Sequence, residues 1–164
     1  MTHRIEQRLQ ALNLTLPQVP VHAASDAAWK CCAGWLVVGG QLPMANGRVI
    51  TGRIGDDCDL QAGATAARQG ALAVLAQIRQ ALMGDWSRFD QLARITVQVN
   101  AAPGSCDPDP IAKAASEVFL AVLGDCGTHA RTVFAVNALP RGALVQIDAV
   151  ARITPQGQPI GLFP

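Results

Sequence analysis

Residues 60 to 83, LQAGATAARQGALAVLAQIRQALM, constrain the fold more than any other stretch of this chain. Ala64, Ala67, Ala71, Leu75, Ile78 and Leu82 recur at helical spacing, while Arg68, Gln69, Arg79 and Gln80 fall off that stripe. A stripe made largely of alanine lets a helix approach its neighbour closely, so it needs a flat apolar surface to lie on. The next segment supplies one. In LARITVQVN, residues 92 to 100, Ala93, Ile95, Val97 and Val99 alternate with Arg94, Thr96, Gln98 and Asn100, the pattern of a half-buried strand.

The flanking segments extend this arrangement. Ile5, Leu9 and Leu12 predict a short helix over 2 to 12, and Leu16-Pro17 and Pro20 force an extended connection after it. WLVVG, from Trp35, reads as a buried strand, and Asn46-Gly47 within MANGRVITG signals a hairpin. A second helix is bracketed by Asp109 as N-cap, Pro110 at the first helical position and Gly124 as left-handed cap, with Ile111, Ala115, Val118 and Val122 as its stripe. Residues 129 to 153, HARTVFAVNALPRGALVQIDAVARI, predict two strands folded as a hairpin about Leu-Pro-Arg-Gly. The second strand divides into Val145, Ile147, Ala149 and Ala151 on one face and Leu144, Gln146, Asp148, Val150 and Arg152 on the other. The element order α-β-β-α-β-α-β-β predicts an α+β fold, one sheet with both long helices on a single face. The mixed polar face left over suits an assembly interface better than bare solvent.

Composition sets further bounds. Of 164 residues, 50% are hydrophobic and 15% charged, which excludes disorder and predicts a single domain over 1–164, with 1–18 as an N-terminal helical extension and 154–164 as an irregular tail. Thirteen basic and twelve acidic residues leave a net charge of +1 with no basic run, so no nucleic-acid partner is expected. The N-terminus lacks a signal-peptide core, and CCAGWLVVGG and GALAVLAQI are too short to span a bilayer; a cytoplasmic protein without membrane partners is the expectation. The cysteines at 31, 32, 58, 106 and 126 form no ligand spacing. They are expected to be buried or half-buried free thiols, and neither metal nor cofactor is expected.

The strings VVGGQLPMANGRVITGRIG, ITVQVNAAPG and FLAVLGDCGTHARTVFAVNALPRGALVQIDAVARI resemble the Rid family of reactive intermediate deaminases, also called YjgF-like or endoribonuclease L-PSP proteins. The resemblance runs from about residue 20 to 153 and is closest to a longer branch of largely unassigned function. It implies a chorismate-mutase-like fold, a homotrimer, and ligand clefts between subunits. It also implies that Arg131 binds the carboxylate of a 2-imino or 2-oxo acid, for which a guanidinium offers two parallel N–H donors. Gly39, Gly40 and Pro140 match the surrounding backbone, and Lys113 falls where the family has a helix asparagine near the ligand. The glutamate that activates water in the deaminases is matched by Gln146, which can orient water but cannot take its proton.

Other residues carry weaker signals. Asp148, two residues along the same strand face, is a candidate substitute base with a structural role as the alternative. His129 is a candidate proton shuttle or, alternatively, a capped loop histidine. Ser116, inside a helix, has no evident partner in the sequence and reads as a small packing residue. Three functions remain in play: hydrolysis of 2-imino acids to 2-oxo acids, non-catalytic binding or sensing of a small carboxylate, and the ribonuclease activity in the family's older name. The last is disfavoured by the missing basic patch and the absence of tyrosine.

Overall fold

The computed structural model describes residues 2–19, 27–105 and 107–154. Helix α1 (Thr2–Ala11) leads into strands β1 (Trp29–Cys32) and β2 (Trp35–Gln41) and a small hairpin, β3 (Met44–Ala45) with β4 (Arg48–Val49). Helix α2 (Leu60–Ala81), β5 (Phe89–Asn100), α3 (Asp109–Leu123), β6 (Ala130–Val136) and β7 (Val145–Ile153) follow. The main sheet has the order β1-β2-β7-β5-β6, antiparallel except for the parallel β5–β6 pair.

Helix α2 forms where its pattern placed it. Asp59 caps its start by accepting from the Ala62 N–H at 2.8 Å. Ala66, Ala67, Ala71, Leu75 and Ile78 are fully buried, with no side chain longer than needed to meet β7 and β2. Gly70 lets the helix lie close to the sheet: a Cβ there would stand 3.0 Å from Ile147 Cδ1. Helix α3 lies alongside α2, so the two long helices share one face of the sheet. Helix α1 joins the same core through Ile5 and Leu9, whereas Leu12 remains exposed. Asn46 and Gly47 both take positive φ, the geometry of a tight two-residue hairpin turn.

Three expectations need correction. The segment 129–153 is not a hairpin: β7 lies between β2 and β5, and β6 pairs on the far side of β5. The turn explains how. Residues Pro140–Gly142 form a 3-10 turn in which Arg141 and Gly142 have positive φ, and this carries the chain across β5 rather than back along β6. Strand β7 alternates buried and half-buried throughout, as a central strand should, whereas β6 is largely open to solvent as an edge. Second, the strict alternation of β5 is broken by irregular pairing between Leu92 and Arg94, so Leu92 rather than Ala93 enters the core. Third, Cys31 and Cys32 are exposed on β1, not buried, while Cys58 and Cys126 are partly covered. Cys106 and the tail from 155 onward lie outside the described residues.

The sheet face away from the helices carries Gln146, Asp148, Thr96 and Gln98 together with Trp35, Val37 and Phe134. Those three apolar side chains remain 43%, 47% and 51% exposed in the single chain.

Candidate functional site

Arg131 owes its position to the β5–α3–β6 crossover. Parallel pairing sets it opposite Ile95, whose side chain is buried under the helices, so Arg131 points toward α3 rather than onto the open sheet face. There it meets two side chains of α3 spaced seven residues apart. Its Nη2 donates to Asp109 Oδ1 at 2.5 Å and its Nη1 donates to Ser116 Oγ at 3.3 Å. Asp109 therefore does not cap α3: Pro108 occupies that position without a side-chain cap, and the carboxylate serves Arg131 instead.

Behind Ser116 the polar chain continues to His129. His129 Nδ1 stands 2.6 Å from the Gly127 carbonyl oxygen, an acceptor only, so Nδ1 carries the proton and Nε2 is left as acceptor. Ser116 Oγ, 3.0 Å from Nε2, accordingly donates its hydroxyl proton to it. Phe119 stacks edge-on against the imidazole at 5.7 Å between ring centres. The result is one directed series: Arg131 to Ser116, Ser116 to His129, His129 to the Gly127 carbonyl. Ser116 is thus a partnered polar group, not inert packing, and His129 buttresses the arginine.

Burial pushes the His129 pKa below its ordinary value of 6.5, with the hydrogen bond to Gly127 opposing and the Arg131 charge assisting that shift. The unfolded chain therefore binds this proton first as pH falls through about 6.5, and the folded state loses stability from there toward the lower folded pKa. Denaturant midpoints between pH 7 and 5 should show this loss in the wild type and a flatter profile in His129→Gln.

Gln146 lies elsewhere. It pairs with Gln98 on the open sheet face and donates from Nε2 to Gln98 Oε1 at 2.7 Å. Its own Oε1 has no protein donor among the described residues. Gly40 presses against this side chain where the β2–β7 register shifts between Val38 and Gln41; any Cβ at Gly40 would overlap the Gln146 amide. Gly39 precedes it in the same bulge, its N–H held by the Ala28 carbonyl. Asp148 sits two residues along from Gln146, paired with Thr96; burial raises its pKa, and the Thr96 hydrogen bond and Arg94 charge offset part of that rise.

Within one chain, then, Arg131 and Gln146 occupy opposite faces of the sheet, with β5 between their strands. Lys113, exposed on α3, lies one turn from Asp109 on the Arg131 side. Pro140 opens the turn that precedes β7. Beside Gly40 is a cavity of about 470 Å³, lined among others by Leu42, Met44, Arg141 and Gln77. Gln77 donates to Gln41 Oε1 at 3.0 Å, and Gln41 in turn donates to the Gly39 carbonyl at 3.0 Å, which holds the glycine bulge in place. Asp109, Ser116 and the Gln41–Gln77 pair were not singled out as site residues from sequence. The i, i+7 spacing of Asp109 and Ser116 was visible, but its meaning depends on β6 running parallel to β5.

Among the described residues no cluster of three potential metal ligands occurs, and no helix is long and apolar enough to cross a membrane.

A family model described as "YjgF/chorismate mutase-like, putative endoribonuclease" matches residues 6–153. Protein TCP17 of Trypanosoma cruzi is 35% identical over 152 residues, covering 92% of this chain and 94% of that protein. A protein of unknown function from Agrobacterium tumefaciens superposes with a TM-score of 0.86 at 34% identity, covering 93% of this chain and 95% of its own. A putative endoribonuclease from Shewanella oneidensis superposes with a TM-score of 0.85 at 28% identity, covering 91% of this chain and 99% of its own.

Proposed function

The chain belongs to the YjgF/chorismate mutase-like family, and on that premise we propose that it binds a small 2-oxo or 2-imino carboxylic acid through Arg131 in a cleft completed by another copy of the chain. The observation that carries this reading is the guanidinium of Arg131, a quarter exposed and held from behind by Ser116 and His129. Such a pre-oriented fork suits a carboxylate and loses little freedom on binding it.

The assembly follows from the opposite placement of Arg131 and Gln146. A ligand touching both takes one from each of two protomers, and the exposed Trp35, Val37 and Phe134 on the open face give such protomers an apolar surface to share. A homotrimer closes this arrangement. If the bound acid is an imine, water adds to the C=N carbon and the resulting carbinolamine collapses to the 2-oxo acid with release of ammonia. Gln146 Oε1, which has no protein donor among the described residues, accepts a hydrogen bond from that water and orients it.

The neutral amide at 146 also supports a second reading, in which the protein binds the acid without turning it over. One experiment separates the two. Freshly generated 2-iminobutanoate is mixed with wild type and with Arg131→Ala. Imine hydrolysis should be accelerated by wild type and fall about a hundredfold in the variant, as expected when a charge-assisted pair of about 2–3 kcal/mol is removed. Equal rates with both proteins would sink the deaminase reading. Stabilisation by 2-oxobutanoate without turnover would favour the binding protein. A ribonuclease reading finds little support in a chain of net charge +1 without tyrosine.

A further inference from the structure

We infer that Asp109 decides which small acid the Arg131 seat accepts, and that the pair is built for a zwitterion: a 2-amino or 2-iminio acid, with a cationic nitrogen next to its carboxylate, over a plain 2-oxo anion. This rests on the reading of Arg131 as a carboxylate anchor and adds the chemistry of the atom beside that carboxylate.

The guanidinium is not a bare cation. Asp109 Oδ1 accepts from Nη2 at 2.5 Å, and the two formal charges cancel at the mouth of the site. A plain anion arriving there either displaces Asp109 or sits beside it and suffers like-charge repulsion. A zwitterion meets neither obstacle. Its carboxylate takes the guanidinium N–H groups left over from Asp109 and Ser116, while its nitrogen reaches Asp109 Oδ2, which has no protein partner among the described residues. Exposure allows the approach, because the Asp109 side chain is 53% and Arg131 25% accessible.

The packing behind the pair fits the same assignment. The Ser116–His129–Gly127 series holds the guanidinium from the core side, so Arg131 stays in place when Asp109 shares its hydrogen-bonding capacity with a ligand. Asp109 stands in the first turn of α3, after Asp107 has already accepted from its backbone N–H, so its side chain is not engaged in capping. The iminium form is also the one that water attacks. The water oxygen bonds to carbon, the C=N π pair passes to nitrogen, and one proton of that water reaches the nitrogen through solvent; the carbinolamine then re-forms C=O as its C–N bond breaks, and the departing ammonia takes up the hydroxyl proton as ammonium. Net, iminium and water give the 2-oxo acid and ammonium. A carboxylate that holds the nitrogen protonated raises the electrophilicity of the carbon, which lessens the demand for a strong base at position 146.

The test titrates the full chain at neutral pH with 2-aminobutanoate and with 2-oxobutanoate by calorimetry, comparing wild type, Asp109→Asn and Arg131→Ala. Wild type should bind the amino acid at least tenfold more tightly than the oxo acid. Asp109→Asn, nearly isosteric and checked for folding by its melting temperature, should shift that ratio at least tenfold toward the oxo acid. Arg131→Ala should lose both ligands. A wild-type preference for 2-oxobutanoate, a ratio unchanged within twofold in Asp109→Asn, or no binding of either probe overturns the inference. Undiminished binding of both ligands by Arg131→Ala instead overturns the anchor itself, so the two failures are distinguishable.

Discussion

Replacing Trp86 by alanine is expected to destabilise the protein by about 3–5 kcal/mol, the range for removing a large aromatic from a well-packed core. The indole is fully buried and meets Phe89 edge-to-face at 6.1 Å. It also ties the N-terminal helix to the rest of the fold: Nε1 donates to Glu6 Oε1 at 3.0 Å, and Arg79 donates to the same oxygen at 2.9 Å. The truncation therefore leaves a cavity and removes one of the two hydrogen bonds that Glu6 of α1 accepts. At this chain length the loss corresponds to a fall in melting temperature of about 10 °C. Trp86→Phe keeps most of the packing and loses the hydrogen bond, so about 1 kcal/mol is expected. Guanidinium unfolding at fixed protein concentration measures both, and a loss below 1 kcal/mol for the alanine variant would contradict the burial of the indole.

The second large effect is at Gly127. A Cβ there would stand 2.5 Å from the Phe119 carbonyl oxygen and 2.9 Å from its carbonyl carbon. These are backbone atoms of α3, which cannot swing aside as a side-chain tip would, so Gly127→Ala should cost about 2–3 kcal/mol through overpacking. Its second consequence is functional. The Gly127 carbonyl fixes the tautomer of His129, which accepts from Ser116, which accepts from Arg131. Moving that carbonyl loosens the guanidinium, and carboxylate affinity should fall together with stability. Gly47→Ala is the control: no atom lies within 4 Å of its added Cβ, and its penalty of about 1 kcal/mol comes from a positive φ alone. That variant should bind carboxylate as the wild type does.

What both substitutions break is set by tertiary structure. Trp86 follows a Gly-Asp pair, and only the docking of α1 shows what its ring and N–H are for. Gly127 opens the GTHAR run, and only the packing of α3 against it shows why a Cβ does not fit there. The polar face of β5 and β7 was legible, because a period of two is a local property of the chain. So were the two long helices, whose apolar stripes repeat every three to four residues. The family was legible as well, from GGQLP, GTHAR and the ALPRGALVQIDAVA run.

By itself, then, the sequence determined the α+β class and the presence of α2 and β5, though β5 begins three residues before the alternation of 92–100 and α2 ends at Ala81. Local periodicity and side-chain chemistry suffice for those. Strand order was beyond it: β6 and β7 are adjacent in the chain and apolar in the same way, and nothing local says that β7 inserts between β2 and β5. Such non-local pairings decide which side chains meet. The parallel β5–β6 pairing turns Arg131 toward α3, where Asp109 and Ser116 receive it, and the antiparallel β5–β7 pairing leaves Gln146 on the opposite face with Gln98. Pairing partners are selected by the total burial of the whole sheet, a sum over distant residues, which is why Arg131 and Gln146, which look like members of one hairpin in sequence, end on opposite faces in space.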